Sequence, residues 1–406
     1  MKHPYLVYLY FILSLLVSCQ SAYGQQPKKE ISFKPPYQFN KEIEDQIATD
    51  TVPWKYQTAA AAYAAKGDHQ KALLTWDEAM GKRNMAFSQA EADSIRKLYH
   101  PVPAIPYIIK IAAEHEITII NEAHHSNLHR AFTTSLLKDL YEKGYRHLGL
   151  EALANDMHQD KKLNDRQYPI QESGWYLKAP AFGELLRQAL EIGYTVFPYE
   201  NTGKREEREV QQAQNIYAHM QKHPGEKVLI HCGFDHVLEG EHEAWGKAMA
   251  QELKDLSGLD PFTINQEDYS EKSEAQYNPK LLKLFDIKEA SILFDRDKNA
   301  FAYTRRKSFT DVAVLHPTTT YEQGRADWLF ADKQKVAIPV NGTELSFPIM
   351  LLAYKANEPI KNGIPVDIVE IANKNDTATL ALSSGQYTIV AHSHTGKSIC
   401  FDWLVK

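Results

Sequence analysis

Apolar residues in this chain come in short runs that alternate with helical periodicities, and several of the runs end in polar tips. Ile117-Thr118-Ile119-Ile120 is a β-branched run that ends in Asn121-Glu122-Ala123-His124-His125. From about Asn127, the residues Phe132, Leu136, Leu137, Leu140 and Tyr141 recur at helical spacing, and Gly144 stops the pattern. Leu148-Gly149-Leu150 then reads as a second strand, closing on Glu151. Strand, helix and strand in this order make a βαβ unit, which implies parallel strands and a right-handed crossover. The alternation runs on. Ala179–Ile192 carries Phe182, Leu185, Leu186, Ala189 and Leu190 on one face and closes at Gly193, and Thr195–Tyr199 is a third strand that ends in Glu200. A charged helix over Lys204–His219, a turn at Pro224-Gly225 and a fourth strand over Lys227–His231 follow, leading into His231-Cys232-Gly233-Phe234-Asp235-His236. A helix over Glu241–Leu256 is expected to close the series at Gly258.

The strand ends are where the chemistry collects. In open parallel sheets, ligands bind off the carboxyl ends of the strands. Four successive ends carry Glu122/His124/His125, Glu151, Glu200 and His231/His236. Any one of these residues by itself reads as a capping or solvated group at a polar loop tip. Their repeated placement at one edge points to a site.

The flanks differ in character. The first 24 residues read as a signal peptide, with Lys2 ahead of the apolar run Tyr5–Val17. Leu16-Val17-Ser18-Cys19 resembles a bacterial lipobox, and Ala22-Tyr23-Gly24 an ordinary cleavage site. The expectation is an exported bacterial protein, either an outer-membrane lipoprotein anchored through a lipidated Cys19 or a periplasmic or secreted one. Residues 25–50 are Pro/Lys-rich and read as a linker. Residues 51–100 read as a helical segment, in which Tyr56–Met80, with Tyr63-Ala64-Ala65-Lys66-Gly67-Asp68, Ala72 and Ala79, resembles one tetratricopeptide-type hairpin; one repeat cannot bury its own face, so it is expected to pack against the next domain. Val102-Pro103-Ala104-Ile105-Pro106 marks a boundary, so the α/β domain is placed at 101–330. Residues 331–406 alternate with period two and have turn signals at Asn341-Gly342, Asn362-Gly363, Gly385 and Gly396, which suggests a small β-sandwich-like domain. The predicted fold class is therefore α/β: a mainly parallel sheet flanked by helices, with an N-terminal helical segment and a β-rich C-terminal domain.

Composition narrows the function. At 406 residues, 43% hydrophobic and 24% charged, the chain is ordinary globular material with ample core, and a net charge of -6 argues against nucleic acid as a partner. Of the 3 cysteines, Cys232 sits in an apolar strand and reads as a small buried hydrophobe. Glutamate and histidine together suit two chemistries. A neutral imidazole can take a proton from water while a carboxylate fixes its tautomer. Alternatively, imidazoles and carboxylates from several loops can hold a divalent first-row metal (Mn, Co, Zn or Fe) with an open position for water. Both lead to hydrolysis of a small-molecule or peptide substrate. The chain has no Gly-x-Ser-x-Gly elbow, phosphate loop, His-Glu-x-x-His helix or dinucleotide fingerprint. Trp175, Tyr176 and Trp328 lie in the less regular segments and are expected to pack in the core.

The order of motifs resembles the erythromycin-esterase-like and ChaN-like (Tiki) superfamily. Asn121-Glu122-Ala123-His124-His125 before a helix, then a strand closing on Glu151, resembles that superfamily's Gly-Glu-x-x-His or Gly-x-x-His strand end followed by a strand ending in Glu. Arg208-Glu209-Val210-Gln211-Gln212-Ala213-Gln214-Asn215 resembles the esterases' Arg-Asp-x-x-Met-Ala-x-Asn helix, and Gly233-Phe234-Asp235-His236 resembles a second Gly-x-x-His. Asn121 departs from the family glycine. The resemblance implies catalytic roles for Glu122, Glu151 and His236 and for His124 or His125; Arg208 reads equally as a group for an anion or developing oxyanion and as a structural salt bridge to a strand-end carboxylate, and Glu200 and His231 are secondary. The metal-using branch aligns with His124 and implies His124, Glu151 and His236 as ligands. The esterase branch aligns with His125 and needs no metal. Ester, lactone or amide hydrolysis is the expected activity. ChaN-like members imply the alternative, a surface haem- or metal-binding protein without turnover, for which histidines and the 22 tyrosines supply axial ligands.

Overall fold

The computed structural model describes residues 28–340, 344–377 and 379–406. The expected signal peptide, the lipobox and the Asn341-Gly342 turn lie outside the described residues. No described helix is long and apolar enough to cross a membrane.

A mixed α/β architecture is built on an eight-stranded sheet. Its spatial order is His100–Pro103, Ser291–Phe294, Val312–Leu315, Phe262–Asn265, Ile117–Glu122, Lys227–Gly233, Tyr145–Leu150 and Thr195–Pro198. The strands from Val312–Leu315 to Thr195–Pro198 are parallel. Ser291–Phe294 runs antiparallel to both its neighbours. The βαβ strands Ile117–Glu122 and Tyr145–Leu150 are parallel but not adjacent, because Lys227–Gly233 is inserted between them. Ile120 and Leu150 both pair with His231, and Glu122 pairs with Gly233. That insertion creates the site.

Strand alternation sorts the core into two layers. Ile120, Leu148, Leu150 and Leu229 face one side and pack on helices Ala104–Ala112, Asn127–Glu142 and Pro180–Ile192. Ile117, Ile119, Val228 and Ile230 face the other and pack on Arg208–Lys222 and Met249–Ser257. This last helix is shorter than the expected Glu241–Leu256. Glu239–Gly240 instead pairs with Ser308–Phe309, and His242 and Gly246 exchange backbone hydrogen bonds in a closed turn, so the chain is committed to other partners until Ala248.

Residues 28–50 correct the linker expectation. Lys29–Ile31 forms the edge strand of a five-stranded antiparallel sheet by pairing with Ser398–Val405, and Asn40–Thr49 is a helix. Tyr37, Phe39 and Ile43 are buried, and these apolar anchors outweigh the Pro/Lys-rich composition around them. The C-terminal strands stack that sheet against a two-stranded ribbon, Gln334–Ala337 with Thr379–Leu382, over a shared apolar core. Helices Lys55–Ala65 and His69–Met80 form an antiparallel hairpin. Buried ion pairs tie these parts together: Lys66 with Glu370, Arg325 with Asp367, and Arg187 with Glu358 through two bonds of 2.6 Å.

Candidate active site

A cleft of ≈ 430 Å³ opens at the carboxyl ends of the parallel strands. Glu122, His124, Glu151, Glu200, Arg208 and His231 line it, with Trp175, Tyr176 and Phe182 as aromatic walls. The expectation that Trp175 is a core residue is corrected here, whereas half-buried Tyr176 packs against the core and also faces the cleft. Trp175 is exposed on the rim, and the Tyr176 ring stacks on His124 with centroids 4.3 Å apart. Trp328 instead lines a separate cavity and packs on His69.

The centre of the cleft is a chain of three groups. Buried Glu122 accepts from Arg130 Nε (2.6 Å) and Nη2 (2.9 Å), a bidentate pair. Burial would raise the Glu122 pKa, but the guanidinium and the His124 hydrogen bond outweigh it and hold the carboxyl well below the usual range. An ionised carboxylate only accepts, so the 3.1 Å contact with His124 Nδ1 is an N–H donor and the Nε2 lone pair is left free. Arg130 is itself fixed by Asn127 Oδ1 (2.6 Å), the His124 carbonyl (2.8 Å) and the face of Phe182. Sequence reasoning missed Arg130. The available signal was a polar first turn, Asn127, His129 and Arg130, on a helix whose later turns are apolar.

The two adjacent histidines part ways. His125 is buried against Trp76, with ring centroids 4.1 Å apart, and lines a smaller cavity away from Glu151. Burial lowers its pKa well below the usual histidine value. Only His124 reaches the cleft.

The second carboxylate belongs to a different set. Glu151 accepts from Arg208 Nη2 (2.6 Å) and from the Gly233 N–H (2.5 Å). Arg208 also holds both Glu200 oxygens, Nε at 3.0 Å and Nη2 in a close contact, and Gln212 donates to Glu200 at 3.0 Å. Burial opposes ionisation of Glu200, but Arg208 keeps its pKa lowered. His236 stands behind Glu151, with Nε2 3.7 Å from Oε1 and Nδ1 2.7 Å from Glu209. Burial would lower its pKa, yet Glu151 and Glu209 together raise it. His231 is buried with Nε2 3.7 Å from Glu122 Oε2, and burial lowers its pKa to about 4. Burial also pushes the Cys232 thiol pKa well up, which leaves it a packed hydrophobe.

Two backbone features shape the edge. Asn121 needs no unusual backbone. Its side chain donates to the Phe234 carbonyl (2.9 Å) and accepts from Gln266 N–H (2.8 Å), bracing neighbouring strand ends. Gly233 is required by close approach: a Cβ there would meet His124 Cε1 at 2.4 Å and Glu151 Oε2 at 3.3 Å. With the His124 ring already against Tyr176 and Phe234, it has little room to yield. Gly233→Ala is expected to displace His124 and cost about 1–3 kcal/mol of stability. A crystal structure of the variant with His124 unmoved would count against this packing argument.

The residues expected to hold a metal do not fit one. Both oxygens of Glu151 are taken by Arg208 and Gly233 N–H, and those of Glu122 by Arg130. Among the described residues, His124, Glu151 and His236 do not form a group with ligand atoms within 4.8 Å of one another.

Fold and cleft together define an α/β protein with an imidazole–carboxylate site at the carboxyl edge of a mainly parallel sheet. No family model matches the chain, and no curated protein matches it. Among solved structures, the type III effector HopBA1 matches at TM-score 0.35 and 12% identity over 54% of this chain and 97% of its own. RRSP, a MARTX toxin effector domain from Vibrio vulnificus CMCP6, matches at TM-score 0.30 and 17% identity over 49% of this chain, which spans 43% of that one. Likenesses at these scores carry nothing about the reaction.

Proposed function

We propose that the chain is an exported hydrolase of the erythromycin-esterase-like and ChaN-like kind, cleaving an ester, lactone or amide with water activated at His124. The observation that carries this reading is the Arg130–Glu122–His124 chain, which ends in a free Nε2 in the cleft. Arg130 keeps Glu122 ionised, and Glu122 fixes the tautomer and stabilises the imidazolium that forms. Water attacks the substrate carbonyl carbon as its proton passes to Nε2. The proton then goes to the leaving alkoxide or amine as the tetrahedral intermediate collapses. Arg208, at the cleft wall, stabilises the developing oxyanion. Glu151 and Glu200 position Arg208, and His236 with Glu209 positions Glu151. The export part of the reading rests on the first 24 residues alone.

Glu122→Gln and His124→Ala are each expected to lower kcat/KM by about 100-fold or more on ester, lactone or amide panels, with melting curves confirming folded protein. His125→Phe, which keeps the stacking on Trp76, is expected to remain active. Retained activity in both Glu122→Gln and His124→Ala overturns the mechanism. A saturable, His124-dependent haem spectrum without turnover would put the binding reading in its place.

A further inference from the structure

At the opposite end of the sheet three histidines converge. His147 lies near the start of strand Tyr145–Leu150, and His219 and His223 lie in and just beyond the last turn of helix Arg208–Lys222. His223 follows the last helical residue, and its ring packs beside that of His219. One ring nitrogen from each of the three lies within 4.8 Å of the others, the only such group of His, Cys, Asp or Glu among the described residues. His147 Nδ1 is 2.9 Å from His219 Nε2, and the His223 ring centroid is 4.4 Å from that of His147 and 4.7 Å from that of His219.

We propose that His147, His219 and His223 form a binding site for a single divalent first-row cation of the imidazole-preferring class, Zn(II) foremost. The surroundings have the features of such a site. His147 Nε2 sits 2.5 Å from the Glu226 carboxylate, so Nε2 carries the N–H and the Nδ1 lone pair is aimed at the other two rings. Phe197 stacks on His219 with centroids 3.7 Å apart and fixes its plane. A hydrogen bond from His219 to His147 accounts for two rings, and the His223 ring has the Glu226 carboxylate 3.9 Å from its Nδ1, beyond hydrogen-bond distance. A cation with metal–nitrogen bonds of about 2 Å would draw all three nitrogens together. Arg146 and Lys222 stand close by, so the occupant must gain its affinity from imidazole bonding and not from net charge. That favours Zn(II), Ni(II) or Cu(II) over Mg(II) or Ca(II).

The site is separate from the cleft yet mechanically joined to it. Glu151 lies about 13 Å further along from His147 on the same strand. Arg208 begins the helix, about 22 Å long, that ends near His223. A bound cation would clip the strand that presents Glu151 to the helix that presents Arg208.

The test uses the full chain without an affinity tag, stripped with chelator and titrated with ZnSO4 by calorimetry. One equivalent is expected to bind and raise Tm. His219→Ala and His223→Ala should each weaken binding tenfold or more, and Glu226→Gln by about 10–100-fold. His124→Ala and His236→Ala should leave it unchanged. If His219→Ala fails to fold, His223→Ala carries the test, because that side chain is partly exposed and helix-terminal. With CuSO4 as probe, the paramagnetic resonance spectrum should show nitrogen coupling that His223→Ala reduces. No saturable binding overturns the proposal, as does binding indifferent to His219 and His223 or lost in His124→Ala.

Discussion

Arg130→Met is expected to destabilise the fold by about 3–5 kcal/mol and, under the proposed mechanism, to abolish turnover. The side chain is almost wholly buried, and it is the guanidinium that holds the buried Glu122 carboxylate. Removing it leaves an anion in a low-dielectric site with only His124 Nδ1–H as a close donor, and it also releases Asn127 and the His124 carbonyl. The double variant Glu122→Gln/Arg130→Met removes both charges and should recover most of the lost stability. It should recover none of the activity, because His124 then lacks its anionic partner. Urea midpoints for the four proteins of this cycle separate the two roles. Single-variant losses below about 1 kcal/mol would mean that the pair is hydrated in solution. The sign of the pH effect follows from Glu122. Its folded pKa is depressed, so its stabilisation is present above the unfolded carboxylate value, about 4.3, and is lost as pH falls below that.

A second pH-dependent contribution comes from histidines buried in the neutral form. Burial lowers the pKa of His231 and His316 to about 4 and that of His69 to about 3. An unfolded histidine titrates near about 6.5. Between that value and 4 the unfolded chain binds protons that the folded one refuses, so stability falls as pH falls. Each such histidine contributes a slope of about 1 kcal/mol per pH unit. His236 acts in the opposite sense: its raised pKa gives stability that is complete below about 6.5 and fades as pH rises through its folded value. His125 and His129 act in the sense of the first three, and Glu267, its pKa raised to about 8 by desolvation, acts in the sense of His236, so the net slope is a balance and the histidine part is read by difference. The histidine part appears as a difference in denaturation midpoint between the wild-type protein and a His316→Gln variant that changes below about pH 6.5, measured from about pH 8 to about pH 4.5. His316→Gln, which keeps a donor toward Gln266, should change the slope by about one proton's worth. A His316→Gln slope equal to that of the wild-type protein would contradict neutral burial of that ring.

The two metal questions bear on each other. Metal found in the purified protein would not by itself place an ion at the cleft, since the His147–His219–His223 group offers the better geometry. Loss of that metal in His223→Ala, but not in His236→Ala, would assign it.

Much of the site was legible because strand and helix periods are local. The apolar run Ile117–Ile120 and the tip that follows place Glu122 and His124 at a strand end whatever the rest of the chain does, and the same holds for Glu151, Glu200 and His231. Glu209 was legible only through the family-like helix motif, and its hydrogen bond to His236 is a tertiary fact. The choice between His124 and His125 was not legible. Both fall in the turn after the strand, where the alternation of faces no longer applies, and Trp76, from a helix some fifty residues earlier in the chain, takes the second ring. Residues 28–50 were misread for a related reason: a strand such as Lys29–Ile31 has no pattern of its own and exists because Ser398–Val405 offers it an edge.

By itself, then, the sequence determined a mainly parallel α/β unit with acids and imidazoles at one edge, because side-chain alternation and helix spacing are set by covalent geometry within a few residues. Tertiary structure alone decided the strand order. Inserting Lys227–Gly233 between Ile117–Glu122 and Tyr145–Leu150 brings Gly233 and His231 between the two glutamates, and the first turn of the Asn127–Glu142 helix swings Arg130 beneath Glu122. Strand order depends on how helices pack over crossovers of tens of residues, and that is fixed by the folded core as a whole.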